Sequence, residues 1–243
     1  MVTLPIVAHI AGRRASRDEV RGWELGRARS VARKLRVPEP PHDLAELNRR
    51  LVDRKLELGH AGIELLLDRQ LAVSDRVGRA SAAISRGRRR VCAAELSCET
   101  GVAEIVPAWY ARTIAANQEE PLIAACPDHY LSRTNPDGTQ EVIETTGGSP
   151  LPVRMFFDDL DTTSITTPVD AAFPTQWVSV ARAADGTAIG GVRHQFRDRA
   201  GGGFDVRLTV EFPLTTLPHM IAAHRWHLAC EFSNWIEFVN ATA

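Results

Sequence analysis

The spacing of apolar side chains divides the sequence into a helical first part and a β-rich second part. In the first part, apolar positions recur every three, four or seven residues, which is typical of helices. They predict a helix over residues 15–36, a proline-containing break at 39–43, and then a long helix or helical hairpin that bends at Gly59 and Gly62. The heptad positions of this long segment are Leu44, Leu51, Leu58 and Leu65.

A further helix is predicted through Leu71, Val77 and Ile84 to the arginine-rich run at 86–90. Another is predicted over residues 107–125, with Pro121 kinking or ending it. After Cys126 the chain consists of short runs rich in Val, Ile and Phe, separated by turn residues. These runs predict an antiparallel meander with strands at 128–134, 139–146, 151–158, 176–183, 188–197 and 204–212.

The last predicted element is a helix over residues 217–239, in which Pro218 can occupy the first turn. One face of this helix carries Met220, His224, His227, Glu231, Trp235 and Phe238. His227 and Glu231 are four residues apart and can both reach one cation. The same residues could instead form a hydrogen-bonded polar cluster or a face exposed to solvent. A meander followed by this helix predicts an α+β fold in which a curved sheet grips the helix around a ligand cavity.

Two further candidate ligands, His129 and Glu144, flank the turn at residues 135–138. A two-residue turn would place them opposite each other on one face of a hairpin. A longer loop with a glycine bulge would shift the register by one and send them to opposite faces. The sequence leaves both arrangements open.

Charge separates the two parts of the sequence. Residues 1–95 contain 20 Lys and Arg against 12 Asp and Glu, whereas the remainder contains 9 against 18. We therefore predict a basic helical segment at 1–95, outside the ligand cavity, and a second domain at 96–243 that contains the curved sheet, the helix it grips and the cavity. The N-terminal helices could also support a homodimer.

The arginine-rich run at 86–90 has no aromatic interleaving, zinc-ligand spacing or helix-turn-helix pattern, which argues against specific nucleic-acid recognition.

The four cysteines form no CxxC pair, and no apolar run is long enough to cross a membrane. The N-terminal segment places its charges after a short apolar run, which is the reverse of a secretory signal. We therefore expect a cytoplasmic protein with reduced thiols and no membrane span, although a disulfide between two of the four cysteines is left open by the sequence. The sequence also lacks nucleotide-binding glycine motifs and a serine-nucleophile motif, so Gly147-Gly148 and Gly201–Gly203 are expected to be turns.

Four segments together resemble the 2,4-diacetylphloroglucinol hydrolase family, which includes phloretin hydrolases. They are CPDHY at 126–130, VIETTGG at 142–148, GGVRHQFRD at 190–198 and HLACEFSNWIEFV at 227–239. The resemblance covers roughly residues 109–240. It implies a helix-grip fold similar to START and Bet v 1 domains, and a Zn²⁺ ion held by His129, Glu144, His227 and Glu231.

The resemblance also implies hydrolysis of a carbon–carbon bond between an acyl group and a phenolic ring. His224 and His194 are the candidates for proton transfer, since imidazole titrates near neutral pH. The rival hypothesis is a carrier of hydrophobic ligands, or a cyclase that shapes a polyketide, using the same cavity without metal. A third is a helical interaction protein whose N-terminal segment binds acidic partners.

Overall fold

The computed structural model describes residues 5–242. Within that range five helices run over Arg17–Lys34 (α1), Leu44–Ser85 (α2), Ile105–Ala115 (α3), Glu120–Ala124 (α4) and Pro218–Thr242 (α5). Nine strands of the same range run over Ile6–Ile10 (β1), Arg13–Ala15 (β2), Arg89–Cys98 (β3), His129–Thr134 (β4), Gln140–Glu144 (β5), Val153–Asp158 (β6), Thr175–Arg182 (β7), Ala188–Asp198 (β8) and Phe204–Pro213 (β9). The fold is therefore α+β, as predicted.

The nine strands form one antiparallel sheet with the order β2-β1-β3-β9-β8-β7-β6-β5-β4. In a flat sheet, β3 and β4 would lie about 29 Å apart, because six inter-strand spacings separate them. Helix α5 nevertheless packs on β3 and also brings His227 to within 3.1 Å of His129 on β4. The sheet therefore curves around the C-terminal helix.

The main hydrophobic core lies between α5 and the sheet. Its centre includes Leu228, Phe232 and Ile236 of α5, all of which are buried against strands from both halves of the chain. A second core joins α1 and α2 to β4 and β5. Ile143 belongs to this second core while Val142 and Glu144 line the other face of β5, so the core of α1 and α2 lies on the side of β4 and β5 away from α5.

Local signals explain where these helices begin. Ser16 accepts a hydrogen bond from the Glu19 backbone N–H, while the Glu19 carboxylate accepts one from the Ser16 N–H, so α1 starts with a capping box. Asp43 caps α2 in a similar way. The predicted helix over 107–125 is divided into α3 and α4, since Asn117 takes a left-handed φ of 48° and Pro121 lies in the first turn of α4.

The bend predicted in α2 occurs at Gly59, where φ is 58°. The heptad seam predicted across this bend is wrong in its second half, because the bend changes the rotational phase of the helix. Leu51 is buried before it, but Leu65 is 82% exposed after it. The buried positions become Ile63, Leu67 and Leu71, spaced by four residues.

The predicted boundary at residue 95 falls inside β3, and the segment 1–95 is only partly helical. It contributes β1, β2 and most of β3 to the sheet, and β3 pairs with β9 along all ten of its residues. Inward-facing Cys92, Ala94 and Leu96 of β3 are buried in the main core. A single sheet therefore extends across both predicted domains.

The basic run at 86–90 lies where α2 passes into β3, and several of its arginines have intramolecular partners. Arg90 Nε donates to the Leu214 carbonyl, and Arg89 lies 3.9 Å from the buried carboxylate of Glu211. The six strands predicted from residue 128 onward are present, and each begins and ends within two residues of its predicted bounds.

Candidate metal centre and ligand cavity

A cavity of about 330 Å³ lies between the concave face of the sheet, α5 and the second half of α2. Five of the six residues predicted to share one face of α5 line it: Met220, His224, His227, Glu231 and Trp235. The sheet contributes mostly apolar side chains, among them Val142, Val153, Met155, Phe157 and Val192. This is the form of a small-molecule site, with an apolar wall and a few converging polar groups.

Residues of α2 also line the cavity: Ser74, Val77, Gly78 and Ser81. The prediction that residues 1–95 lie outside the cavity is therefore wrong. Helix α1 reaches the same region, since the Trp23 ring lies edge-on to His227 and Arg27 forms two hydrogen bonds of 2.7 and 2.8 Å with the buried carboxylate of Asp128. The charge split indicated two separate segments, whereas the segments pack together.

His129 and Glu144 face each other across β4 and β5, although the turn between them is not the two-residue type. Thr134 pairs with Gln140, which leaves a five-residue loop that contains Gly138 in a left-handed conformation. That loop alone would shift the register by one residue. Tyr130 is the extra residue of a bulge that shifts it back, so the imidazole and the carboxylate share one face.

The four predicted metal ligands converge at one end of the cavity. His129 Nε2 lies 3.1 Å from His227 Nε2, 3.5 Å from a Glu144 oxygen and 3.7 Å from a Glu231 oxygen. His227 Nε2 lies 3.9 Å from an oxygen of each glutamate. Ligand atoms at zinc bond lengths in a tetrahedron are about 3.3 Å apart. The distances among His129, His227 and Glu144 are close to this value, while Glu231 approaches the two histidines through different oxygens.

The histidine rings are oriented by second partners on their other nitrogens. His129 Nδ1–H donates to the Leu122 carbonyl at 3.0 Å, which leaves the lone pair of neutral His129 on Nε2, facing the other three groups. His227 Nδ1 lies 3.7 Å from the buried Cys126 thiol. Such outer contacts are common around metal-ligating histidines, because they fix the tautomer and the ring orientation.

Cys126 was not predicted as part of the site, and it belongs to one of two clusters in the described residues that could hold a metal ion. The clusters are Cys126 with His129 and His227, and Glu144 with His224 and His227. Both contain His227, whereas Glu231 belongs to neither, so its approach to the two histidines at 3.7 and 3.9 Å is the evidence for including it. The sequence around Cys126 has no CxxC spacing, so no local signal marks this thiol as part of a metal site.

Burial dominates the electrostatics of the four converging groups. It raises the pKa of Glu144 to about 8 and that of Glu231 well above its usual range, and each shift is increased by a neighbouring carboxylate. Burial also lowers the pKa of His129 to about 4 and that of His227 well below its usual value. Among residues 5–241, both carboxylates lie within 4.0 Å of imidazole nitrogens but of no Lys or Arg nitrogen. A cation would supply the missing positive charge.

His224 lies beside this group, with its ring stacked on His227 at a centroid distance of 4.8 Å. Its Nδ1 accepts a hydrogen bond from the Gly147 N–H, so the proton of the neutral ring is on Nε2. This contact depends on Gly147, because a Cβ there would lie 2.3 Å from the His224 backbone. The Gly147-Gly148 pair is therefore a close-packed turn against α5.

His194 is a second buried imidazole of the cavity wall, on β8. It accepts a hydrogen bond at Nδ1 from the Thr209 N–H, so its ring proton is also on Nε2. Burial lowers the pKa of His194 and His224 to about 3. Neutral pH therefore leaves both rings uncharged, as fixed hydrogen-bond donors rather than titrating acids.

An aromatic group completes the wall near these histidines. The Tyr110 and Trp177 rings are 3.9 Å apart between centroids, and Trp177 also contacts His194 edge-on at 5.4 Å. The Tyr110 hydroxyl accepts a hydrogen bond of 2.6 Å from Gln140. Tyr130, the second tyrosine, bonds Thr145 behind the sheet. Trp177 lies within a predicted strand, but no local signal showed that it faces the cavity.

No family of known proteins matches the chain, and neither a curated protein nor a solved structure matches it. In residues 5–242, none of the helices is both long and apolar enough to cross a membrane.

Proposed function

We propose that the protein is a zinc-dependent hydrolase of helix-grip type that cleaves the bond between an acyl group and a phenolic ring. The observation that carries this proposal is the convergence of two imidazoles and two carboxylates, with both imidazoles within 4 Å of both carboxylates, at the end of an apolar cavity. Two His and two Glu suit Zn²⁺, which binds nitrogen and oxygen ligands and can expand from four to five ligands when an oxygen of substrate or water joins. The sequence resemblance to acyl-phenol hydrolases selects the reaction among those that such a site could support.

His129, Glu144, His227 and Glu231 would hold the ion. When bound, Zn²⁺ supplies a Lewis acid for a carbonyl oxygen or for water. In the overall reaction the bond from the ring carbon to the acyl carbon breaks and the oxygen of water joins the acyl carbon. The ring carbon takes a proton, and a carboxylic acid is released. A phenolic ring can accept the negative charge of the leaving carbon because its keto tautomer delocalises that charge.

His194 and His224 would bind substrate oxygens through their Nε2–H groups. Each Nδ1 already accepts a backbone N–H, so release of the Nε2 proton would leave an imidazolate. Hydrogen bonding to developing negative charge is therefore the role that fits them. This revises the proton-transfer role expected from the sequence. The Tyr110–Trp177 pair, whose rings are tilted 36° to each other, offers the phenolic ring an aromatic contact.

The test combines metal analysis with product detection. Purified wild type should contain about one zinc per chain and should release a carboxylic acid from an acylated polyhydroxyphenol. His227→Ala should lose both properties. His219→Ala removes an exposed imidazole eight residues earlier on the same helix and serves as the matched control. Absence of stoichiometric metal, together with binding of the phenol without turnover, would favour the non-catalytic carrier.

A further inference from the structure

We infer that the ligand of this cavity carries a second, apolar arm that extends under α2, and that Gly78 limits the length of this arm. The inference rests on the proposed function only for the identity of the phenolic head. The arm itself is argued from the shape and lining of the cavity.

The cavity is too large for a phenolic ring alone. An apolar cavity of about 150 Å³ holds one benzene, and this one measures about 330 Å³. It is also long. His194 and Ile189 both line it from β8, and five strand residues span about 17 Å. A ring placed near the histidines therefore leaves roughly half of the space unfilled.

The unfilled half is apolar. It is bounded on the sheet side by a small cluster that contains Met155, Ala181 and Ile189. On the helix side, the Ser74 hydroxyl donates to the Leu71 carbonyl of its own helix at 3.0 Å, so it offers no free donor to a ligand, and Ser81 is the other hydroxyl that α2 contributes to the lining. Such a lining favours a hydrocarbon chain over a sugar or a charged group.

Gly78 has no backbone reason to be glycine. It lies inside α2 without a positive φ, in a position where glycine is less favourable than alanine. A Cβ at this position would lie 3.8 Å from Ile189 Cγ2, which is an ordinary contact. A longer side chain would extend from the helix into the space beside Ile189. Glycine at this position therefore keeps this part of the cavity free of side-chain atoms.

The cavity opens between α2 and the start of α5, where Val77 and Leu217 are both more than half exposed. The part of an arm that passes this opening would lie in water, so its additional carbons would not strengthen binding. Affinity should therefore rise with arm length and then reach a plateau.

The experiment measures calorimetric binding of 4-alkylphenols from ethyl to decyl, which cannot undergo acyl cleavage. Wild-type affinity should rise roughly fourfold per added CH₂ before the plateau. Gly78→Leu should move the plateau about three carbons shorter, which weakens the longest probes roughly sixtyfold and leaves 4-ethylphenol unchanged. Gly78→Ala should change the series little.

Gly26→Leu is the matched control, because Gly26 is an exposed helix glycine with no neighbour near its missing Cβ. Ser81→Leu changes the same wall one turn later and replaces Gly78→Leu if that variant does not fold. Equal weakening of every probe by these variants, or an unchanged plateau, would overturn the inference. Each titration is repeated with chelator-treated protein. A plateau set by α2 persists there even if the zinc proposal fails, so the two outcomes are separable.

Discussion

Glu231→Gln tests the metal centre most directly, because it removes one charge from the site and keeps the shape of the side chain. In the wild type, zinc at a thousand times its dissociation constant would stabilise the fold by about 4.1 kcal/mol. For a chain of this length that corresponds to a rise in Tm of about 8–16 °C. Loss of a charged ligand that weakens affinity a thousandfold would leave only about 0.4 kcal/mol, or 1–2 °C.

Without metal the order of the two proteins should reverse or disappear. Burial and the nearby Glu144 raise the pKa of Glu231 well above its usual range, so folding without metal disfavours its ionised form. In the unfolded chain this group is ionised at neutral pH. The raised pKa therefore lowers the free energy of unfolding by about 1.4 kcal/mol for each pH unit between the unfolded-state pKa and either the folded-state pKa or the working pH, whichever is lower. Gln is neutral in both states and escapes that cost. In chelator the variant should therefore melt at the same or a higher temperature than wild type.

The assay is a thermal melt of each protein with excess zinc and with chelator. Glu237→Gln is the matched control, because it lies on the same helix but its carboxylate binds Arg17 and Arg21 outside the cavity. It should lower Tm by the same amount in both conditions. The reasoning is refuted if chelator leaves the wild-type Tm unchanged while Glu231→Gln is at least as stable as wild type in zinc.

Three further predictions concern groups around the site. Lys55→Met should raise the free energy of unfolding at pH 7 by up to about 3 kcal/mol, because burial lowers the pKa of this ammonium to about 8. The gain should fade between pH 8 and 10.5, where wild-type stability rises as the buried amine becomes neutral; denaturant melts at both pH values measure it. Cys126→Ala should weaken metal affinity about tenfold or more, and a cobalt-loaded wild type without a thiolate charge-transfer band would show that the thiol is not itself a ligand. Gly147→Ala should cost about 1–3 kcal/mol in the same denaturant melts, because its Cβ would overlap the His224 backbone, whereas Gly26→Ala should not destabilise.

The elements that the sequence predicts well are those whose signal is local. Six strands and α5 follow from alternation, turn residues and helical spacing over fewer than 25 residues. Strand β3 was missed because it begins in a basic run and continues through Ala and Cys, which have weak strand preference. Its ten-residue pairing with β9 decides its structure, and that partner lies more than 100 residues later in the chain.

The residues of the candidate site likewise divide into those that local spacing predicts and those that depend on the register of the sheet. His227 and Glu231 follow from helical spacing alone, since i and i+4 lie on one face. The opposition of His129 and Glu144 depends on two irregularities that cancel, the five-residue loop and the bulge at Tyr130. The turn residues suggest the loop, but nothing in the local sequence marks the bulge. A prediction based on the loop alone would place the two side chains on opposite faces of the hairpin.

The contribution of the N-terminal helices follows from what burial does to ionisable groups. Trp23 packs edge-on against His227, and Lys55 donates to the Ile123 carbonyl behind His129. These contacts exclude water from the outer side of the site, and exclusion of water is what shifts the pKa values of the converging groups. The same helical layer supplies the α2 wall of the cavity. This one layer therefore sets both the stabilisation that a cation would give the four converging groups and the volume left for a small molecule. Substitutions in α1 or α2 should alter metal affinity and the preferred size of the small molecule, although none of them changes a residue that would bind the metal.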